Sequence, residues 1–354
     1  MSGMDQQPEA ANVENWTREG FYGDYAVVAR PNYTPDYVSV EGPHAPHRLT
    51  LGDVQIADRT DSRALPTTFA TSRAGLRLSA SARQAPMPFV VRNVEADELH
   101  FIQEGELEFK TAFGPIAAAP GDFVCVPRAV SYRLTPLRTP TLSIIVESPH
   151  AIRFDTPTPV GMVHPDRDVE RPRIELPSAP GGETELLLKC EDGVTRYVKP
   201  TDPLAATALI AGQAPVWKLN LANVHPLSYG AAGGPPMQFL AAGPNKDLLF
   251  YSLSARPGLH PPIHHNADYD EMVYYFRGPG AWGAVHEPGT FTWVPKGVTH
   301  HGPDEDVPEG YLAWLLESRG TLRLTPIGLA AADLMETGAY GRHPSSRRPS
   351  AVRG

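Results

Sequence analysis

From about Phe89 onward the chain alternates short apolar stretches with breaks rich in Gly and Pro. Leu107-Glu108-Phe109, Phe123-Val124-Cys125-Val126, Leu142-Ser143-Ile144-Ile145-Val146 and Leu248-Leu249-Phe250-Tyr251 are examples. Apolar runs of that length, bounded by turn residues, predict the strands of a sandwich or barrel. Helical periodicity is weak, and Leu329 to Thr337 is one of few short helical candidates. The pattern points to an all-β fold.

The pattern also occurs twice. Gly121-Asp-Phe-Val-Cys-Val-Pro127-Arg-Ala-Val-Ser-Tyr132 lies over Gly289-Thr-Phe-Thr-Trp-Val-Pro295-Lys-Gly-Val-Thr-His300. Upstream, Asp97-Glu98, six residues and Gly105 lie over Asp270-Glu271, six residues and Gly278. Asn93 and Asn266 each stand five residues before the Glu. The offsets, 173 upstream and 168 downstream, differ by a loop-sized indel, as expected of two copies of one β unit. Two barrels in tandem follow: residues 1–155 form the first, residues 156–341 the second, and residues 342–354 a disordered Arg-Pro-Ser tail. Thr156 to Pro180 reads as the linker, and Glu183 to Leu221 is expected to return strands to the second barrel.

Composition narrows the classes. The 38 Pro and 31 Gly in 354 residues suit strands and turns and disfavour helices. A net charge of −9 argues against a nucleic-acid partner. Cys125 and Cys190 provide neither a disulfide framework nor a CxxC knuckle, which fits a reducing cytoplasm. No apolar run approaches membrane-spanning length, so no membrane partner is expected.

The second copy carries the candidate chemistry. Gly258, five residues, His264, one residue, Asn266, four residues, Glu271, six residues and Gly278 form one block. Gly289, five residues, Pro295, one residue, Gly297, two residues and His300 form the other. Both match the two cupin motifs in spacing, with Asn266 in place of the usual second histidine. Alternate residues of a strand share a face, so His264 and Asn266 can point into one barrel, with Glu271 arriving from a neighbouring strand. Two imidazoles and a carboxylate suit non-haem Fe(II), and Zn, Mn and Ni accept the same set.

The first copy serves as a control. Glu98 persists, but Val91 and Arg92 replace His264 and His265, and Tyr132 and Arg133 replace His300 and His301. That barrel is expected to hold no catalytic metal, with Asp97 and Glu98 as relics held by hydrogen bonds. The apolar partners Val91 and Tyr132 should face inward, which favours His264 and His300 as ligands and places His265 and His301 in the pocket or outer shell. A β-bulge would reverse this, so the His265/His301 register stays open.

At these residues the chain resembles the homogentisate 1,2-dioxygenase family. The resemblance lies in Pro261-Pro262-Ile263-His264-His265-Asn266-…-Glu271, His301-Gly302-Pro303-Asp304 and Ala313-Trp314-Leu315-Leu316-Glu317-Ser318. Weaker likeness around Trp217 to Leu221 and Ser252 to Gly258 extends it across most of the C-terminal half. It implies a bicupin fold, one Fe(II) on two His and one Glu, and O2-dependent opening of a hydroquinone-type ring. The family's ligand directly before Gly-Pro-Asp would be His301, and there is one extra residue between His264 and Glu271. The partners implied are a small aromatic substrate and O2, and association through sheet edges predicts a homo-oligomer.

On this reading His301 or His265 serves as acid/base, and Asn266 lends its amide to substrate or to the ligand shell. Tyr269, Tyr274, Tyr275 and Trp293 could wall an aromatic substrate, although ordinary core is the better expectation. His44, His47, His100, His150, His164, His225, His260, His286 and His343 read as surface or loop residues. A cupin isomerase using Zn or Mn, or a cupin that only binds a small ligand, are the competing functions.

Overall fold

Strand pairing follows the repeat. The computed structural model describes residues 13–20, 22–31, 35, 37–155, 163–175, 182–224, 237–256, 263–277, 287–300 and 307–335. The expected tail, His225, His260, His286, His301 and His343, and residues 156–162 and 176–180 of the expected linker lie outside these residues.

One large sheet carries the first barrel. In spatial order it runs Val169–Glu170, Trp217–Asn220, Asp122–Val126, Asp97–Thr111, Ser131–Ser148, Arg77–Ser81, Thr67–Ser72 and Leu322–Leu324. Attached to it are Gly114–Ala118, Val90–Asn93 and the hairpin Thr184–Cys190/Gly193–Lys199. A second sheet runs Ile152–Phe154, Met237–Ala242, Leu248–Arg256, Val307–Ser318, Asp270–Arg277, Thr290–Val294, His47–Thr50 and Ala332–Leu334. The fold is all-β, two jelly-roll barrels in tandem.

The barrels pack back to back, because alternation gives each strand one face for its own barrel and one for the partner. Along Asp270–Arg277, Met272, Tyr274 and Phe276 enter the shared core, whereas Val273 and Tyr275 face the second barrel's interior. Phe101 of the first barrel stands 5.1 Å from Phe276 and 5.6 Å from Tyr274, centroid to centroid, and Phe123 stands 5.5 Å from Trp314. These edge-on contacts favour the ring quadrupoles as well as burying area.

Edge strands are exchanged between the halves. His47–Thr50 pairs with Thr290–Val294 in the second sheet, and Leu322–Leu324 pairs with Thr67–Ser72 in the first. Glu183 to Leu221 does not return to the second barrel as expected. Thr184–Cys190 lies parallel on Val90–Asn93, and Trp217–Asn220 pairs with Asp122–Val126. The alternation Trp217/Leu219 buries both side chains in the shared core.

Three further expectations are corrected. His100 is fully buried, edge-on to Phe109 and Tyr132, not on the surface. His47 is half-buried and stacks on Trp293 at 5.8 Å. The helix expected at Leu329 to Thr337 is instead Pro326–Ala331, started by Thr325, whose hydroxyl accepts from the Gly328 amide. Chain after Ala331 is drawn into the strand Ala332–Leu334 by pairing with His47–Thr50. No helix among the described residues is long and apolar enough to cross a membrane.

Candidate metal centre

The two histidines are set by backbone pairing. His264 and His300 stand directly opposite, the amide of each donating to the carbonyl of the other at 2.8 and 2.9 Å. Residues paired in this way present side chains to the same face, and the imidazole centroids are 4.3 Å apart. Glu271 enters from Asp270–Arg277, on the same inward face as Val273 and Tyr275. The turn Pro295-Lys296-Gly297 delivers His300. Gly297 adopts φ +78° and its amide donates to the Asn266 carbonyl at 2.8 Å.

His264, Glu271 and His300 are buried, and one ligand atom from each lies within 4.8 Å of the others. His264 Nε2 is 3.8 Å from Glu271 Oε2, and His300 Nε2 is 3.5 Å from Glu271 Oε1. Those gaps are long for hydrogen bonds. They match two bonds of about 2.1 Å meeting at an open angle on one ion. His300 Nδ1 lies 3.0 Å from the Val298 carbonyl, which needs a proton on Nδ1 and so turns the Nε2 lone pair toward Glu271. The donor set, two neutral imidazoles and a carboxylate, fits a divalent metal and leaves coordination positions open. It does not distinguish iron from manganese.

Burial raises the Glu271 pKa, but the neighbouring His300 and His264 imidazoles, when protonated, outweigh it and hold this carboxyl well below the usual carboxylate range. Asn266 Nδ2 donates to Glu271 Oε2 at 3.2 Å, and Thr17 Oγ1 donates to Asn266 Oδ1 at 2.8 Å. The amide is thereby fixed in the orientation that supports the carboxylate.

His265 is turned to the opposite face of its strand. Its Nδ1 lies 2.9 Å from Glu14 Oε1, away from the His264–Glu271–His300 group. His301 lies outside the described residues. Of the expected aromatic wall, Tyr269 donates to the Lys246 carbonyl, Tyr274 to Gln103 of the first barrel and Trp293 to Asp270. Those three rings are core. Tyr269 also packs with Tyr251 and Leu315, and Tyr275 faces the second barrel's interior, packed with Tyr311.

Glu317, at the end of the apolar strand Val307–Ser318, is a further residue of the site. It is the cross-strand partner of Glu271, is fully buried, and accepts from the Tyr251 hydroxyl at 3.2 Å. Burial first, then the charge of Glu271, pushes its carboxyl well above the ordinary range. The internal repeat held the signal: Glu147-Ser148 ends one strand as Glu317-Ser318 ends its counterpart. Thr17 and Gly20, from the N-terminal hairpin Val13–Glu19/Tyr22–Ala29, carried no such signal, although Gly20 lies so close to Glu317 that an added Cβ would meet its carboxylate.

No family model matches the chain. It is 25% identical over 241 residues to a protein of Saccharolobus solfataricus provisionally named a dioxygenase, covering 65% of this chain and 61% of that one. It is also 25% identical over 283 residues to homogentisate 1,2-dioxygenase of Bradyrhizobium diazoefficiens, covering 69% and 60%. The chain thus spans about three fifths of the length of these curated relatives. A single-site variant of oxalate decarboxylase from Bacillus subtilis superposes with TM-score 0.43 at 10% identity, over 82% of this chain and 80% of that one. So loose a likeness says nothing of function.

Proposed function

We propose that the chain is a metal-dependent cupin dioxygenase that uses Fe(II) to insert O2 into a small hydroquinone-type or aminophenol-type aromatic acid, opening its ring. The convergence of His264, Glu271 and His300 carries this reading. The relatives named as dioxygenases support it.

Fe(II), when bound, supplies electrons to O2 and adjacent positions for substrate oxygen and O2. The chain's own residues prepare that place. His264, Glu271 and His300 would hold the ion, with the Val298 carbonyl fixing the His300 tautomer and Asn266 steadying the carboxylate. Tyr275 and Tyr311, with Val273, Val294 and Leu253, offer an apolar wall on the same inward side as Glu271. Such a wall would seat an aromatic ring and keep water away from reactive oxygen species. His301, next along the chain from His300, is the proposed acid/base for a substrate hydroxyl.

The test is anaerobic purification, metal determination, and O2 uptake with homogentisate, gentisate, hydroquinone and 3-hydroxyanthranilate. Iron with stoichiometric uptake on at least one compound is expected. Zinc with no uptake would move the function to isomerisation, and a metal-free, inert protein would make it a binder.

A further inference from the structure

Each barrel is covered by a hairpin whose first strand lies parallel on the strand carrying the Asn. In the first barrel Thr184–Cys190 lies on Val90–Asn93, with Lys189 beside Asn93. In the second Val13–Glu19 lies on His264–Asn266, with Thr17 beside Asn266. The backbone repeats too: the Val94 amide donates to the Lys189 carbonyl at 3.0 Å, and the Ala267 amide to the Thr17 carbonyl at 2.8 Å. Lys189 and Thr17 therefore hold equivalent positions, each above a buried pair of facing glutamates, Glu98/Glu147 and Glu271/Glu317.

Of the differences between their side chains, charge is the one that bears on the glutamates. Lys189 Nζ lies 2.6 Å from Glu147 Oε1 and 3.8 Å from Glu98 Oε1. Thr17 brings only a hydroxyl, used on Asn266. Among the described residues no lysine or arginine comes within ion-pair distance of Glu271 or Glu317; their neighbours there are His264, His300, Asn266 and Tyr251. Buried carboxylates need a cation or a proton. One barrel carries its cation on the chain, and among the described residues the other has none in the equivalent place, which leaves room there for an ion from solution.

We infer that Lys189 is the resident cation of the first barrel and that Thr17, its counterpart, is a determinant of metal occupancy in the second. The inference rests on the second barrel being a metal site, as proposed above. An ammonium at position 17 would stand over Glu271 and Glu317 as Lys189 stands over Glu98 and Glu147, and would repel a divalent ion.

The test uses the full chain and Co(II), whose visible absorption reports its ligands. Equilibrium dialysis is run on the wild type, Thr17→Lys and Thr17→Met, the last controlling for length and the lost hydroxyl. Thr17→Lys is expected to bind Co(II) at least about tenfold more weakly than Thr17→Met; equal binding, within about twofold, overturns the inference. Lys189→Met is expected to lower the thermal midpoint on the order of 10 °C, as breaking a buried pair does. Adding Glu147→Gln should recover a large part of that loss, or restore folding if the single variant does not fold. An unchanged midpoint, or no recovery in the double variant, overturns the inference. A wild type that takes up no Co(II) would instead sink the metal-site reading, while the Lys189 variants would still decide the first-barrel half.

Discussion

The two barrels share a polar scaffold and differ in what fills it. Asp97 takes the Arg128 and Ile152 amides at 2.9 and 3.0 Å, and Asp270 takes those of Lys296 and Leu322 at 3.1 and 2.8 Å. Asn93 and Asn266 each donate to the facing Glu, at 2.8 and 3.2 Å. Even the tight turn recurs: Ala129 and Gly297 sit at φ +64° and +78° and donate to the carbonyls of Asn93 and Asn266. Where the second barrel has the opposed pair His264/His300, the first has Val91/Tyr132 in the same register. The Tyr132 hydroxyl reaches Glu98 Oε2 at 2.6 Å, a finished hydrogen bond where His300 leaves an open gap. The scaffold is therefore architecture, and chemistry lies in a few substitutions within it.

The sharpest break of the comparison is removal of a ligand candidate. Glu271→Ala, His264→Ala and His300→Ala should each weaken divalent-metal binding by more than about 100-fold, exceeding the cost of losing a supporting partner. Metal content after dialysis checks this. His265→Ala should keep the ion, since that ring faces Glu14 on the other side of the strand. Loss of metal from His265→Ala with retention in His264→Ala would mean that strand alternation assigns the wrong face.

Next in size is Gly20→Ala, which acts on the second barrel alone. Gly20 sits at φ +61°, and an added Cβ would stand 2.1 Å from Glu317 Oε2. The side chain would meet a buried carboxylate in a backbone conformation that it disfavours. A destabilisation of about 1–3 kcal/mol is expected, as for other overpacked interiors. The hairpin Val13–Glu19/Tyr22–Ala29 should also become easier to cleave. Denaturant unfolding and limited proteolysis read the two effects; an unchanged midpoint would mean that the hairpin does not close over Glu317.

Asp97→Asn and Asp270→Asn sharpen what is common. Each removes the charge from a carboxylate that accepts two backbone amides, so each should cost on the order of 1–3 kcal/mol. The loss at Asp270, which also accepts from Trp293, is expected to be the larger in denaturant melts. A larger loss at Asp97 would show that the shared backbone anchor is not the main contribution.

Much of this was legible in the chain. The spacing around His264, Glu271 and His300 and the strand-turn rhythm mark tandem barrels, because barrel strands alternate strictly and their turns need Gly and Pro at fixed places. The exchanged strands were not legible. His47–Thr50 and Leu322–Leu324 are 4 and 3 residues long, too short for a period to show, and their partners are set by the back-to-back packing. Lys189 and Thr17 were hidden for a related reason. They reach the glutamates from hairpins far away in sequence, where one lysine or threonine resembles any surface residue. His100 was misplaced because a lone histidine reads as polar, whereas its strand buries it between Phe109 and Tyr132.

The smallest expected effect tests how the first barrel stays closed without a metal. Burial alone would raise the Glu98 pKa. The hydrogen bond from His100, the charges of Lys189 and His100, and the Tyr132 hydroxyl together bring it down to about 2. A carboxyl whose pKa is lower folded than unfolded contributes stability that is present above the unfolded value, about 4.3, and lost as pH falls toward the folded one. Acid should therefore erode the first barrel's contribution between about pH 4.3 and 2. Tyr132→Phe removes one of these donors and leaves the ring packed against Phe109 and His100. It should cost about 1 kcal/mol at neutral pH, and the acid limb should move to higher pH because the folded pKa rises. Denaturant melts from pH 7 to pH 3 would show both changes. If the limb stays in place while the neutral stability falls, the hydroxyl serves packing, and Lys189 and His100 alone hold Glu98 ionised.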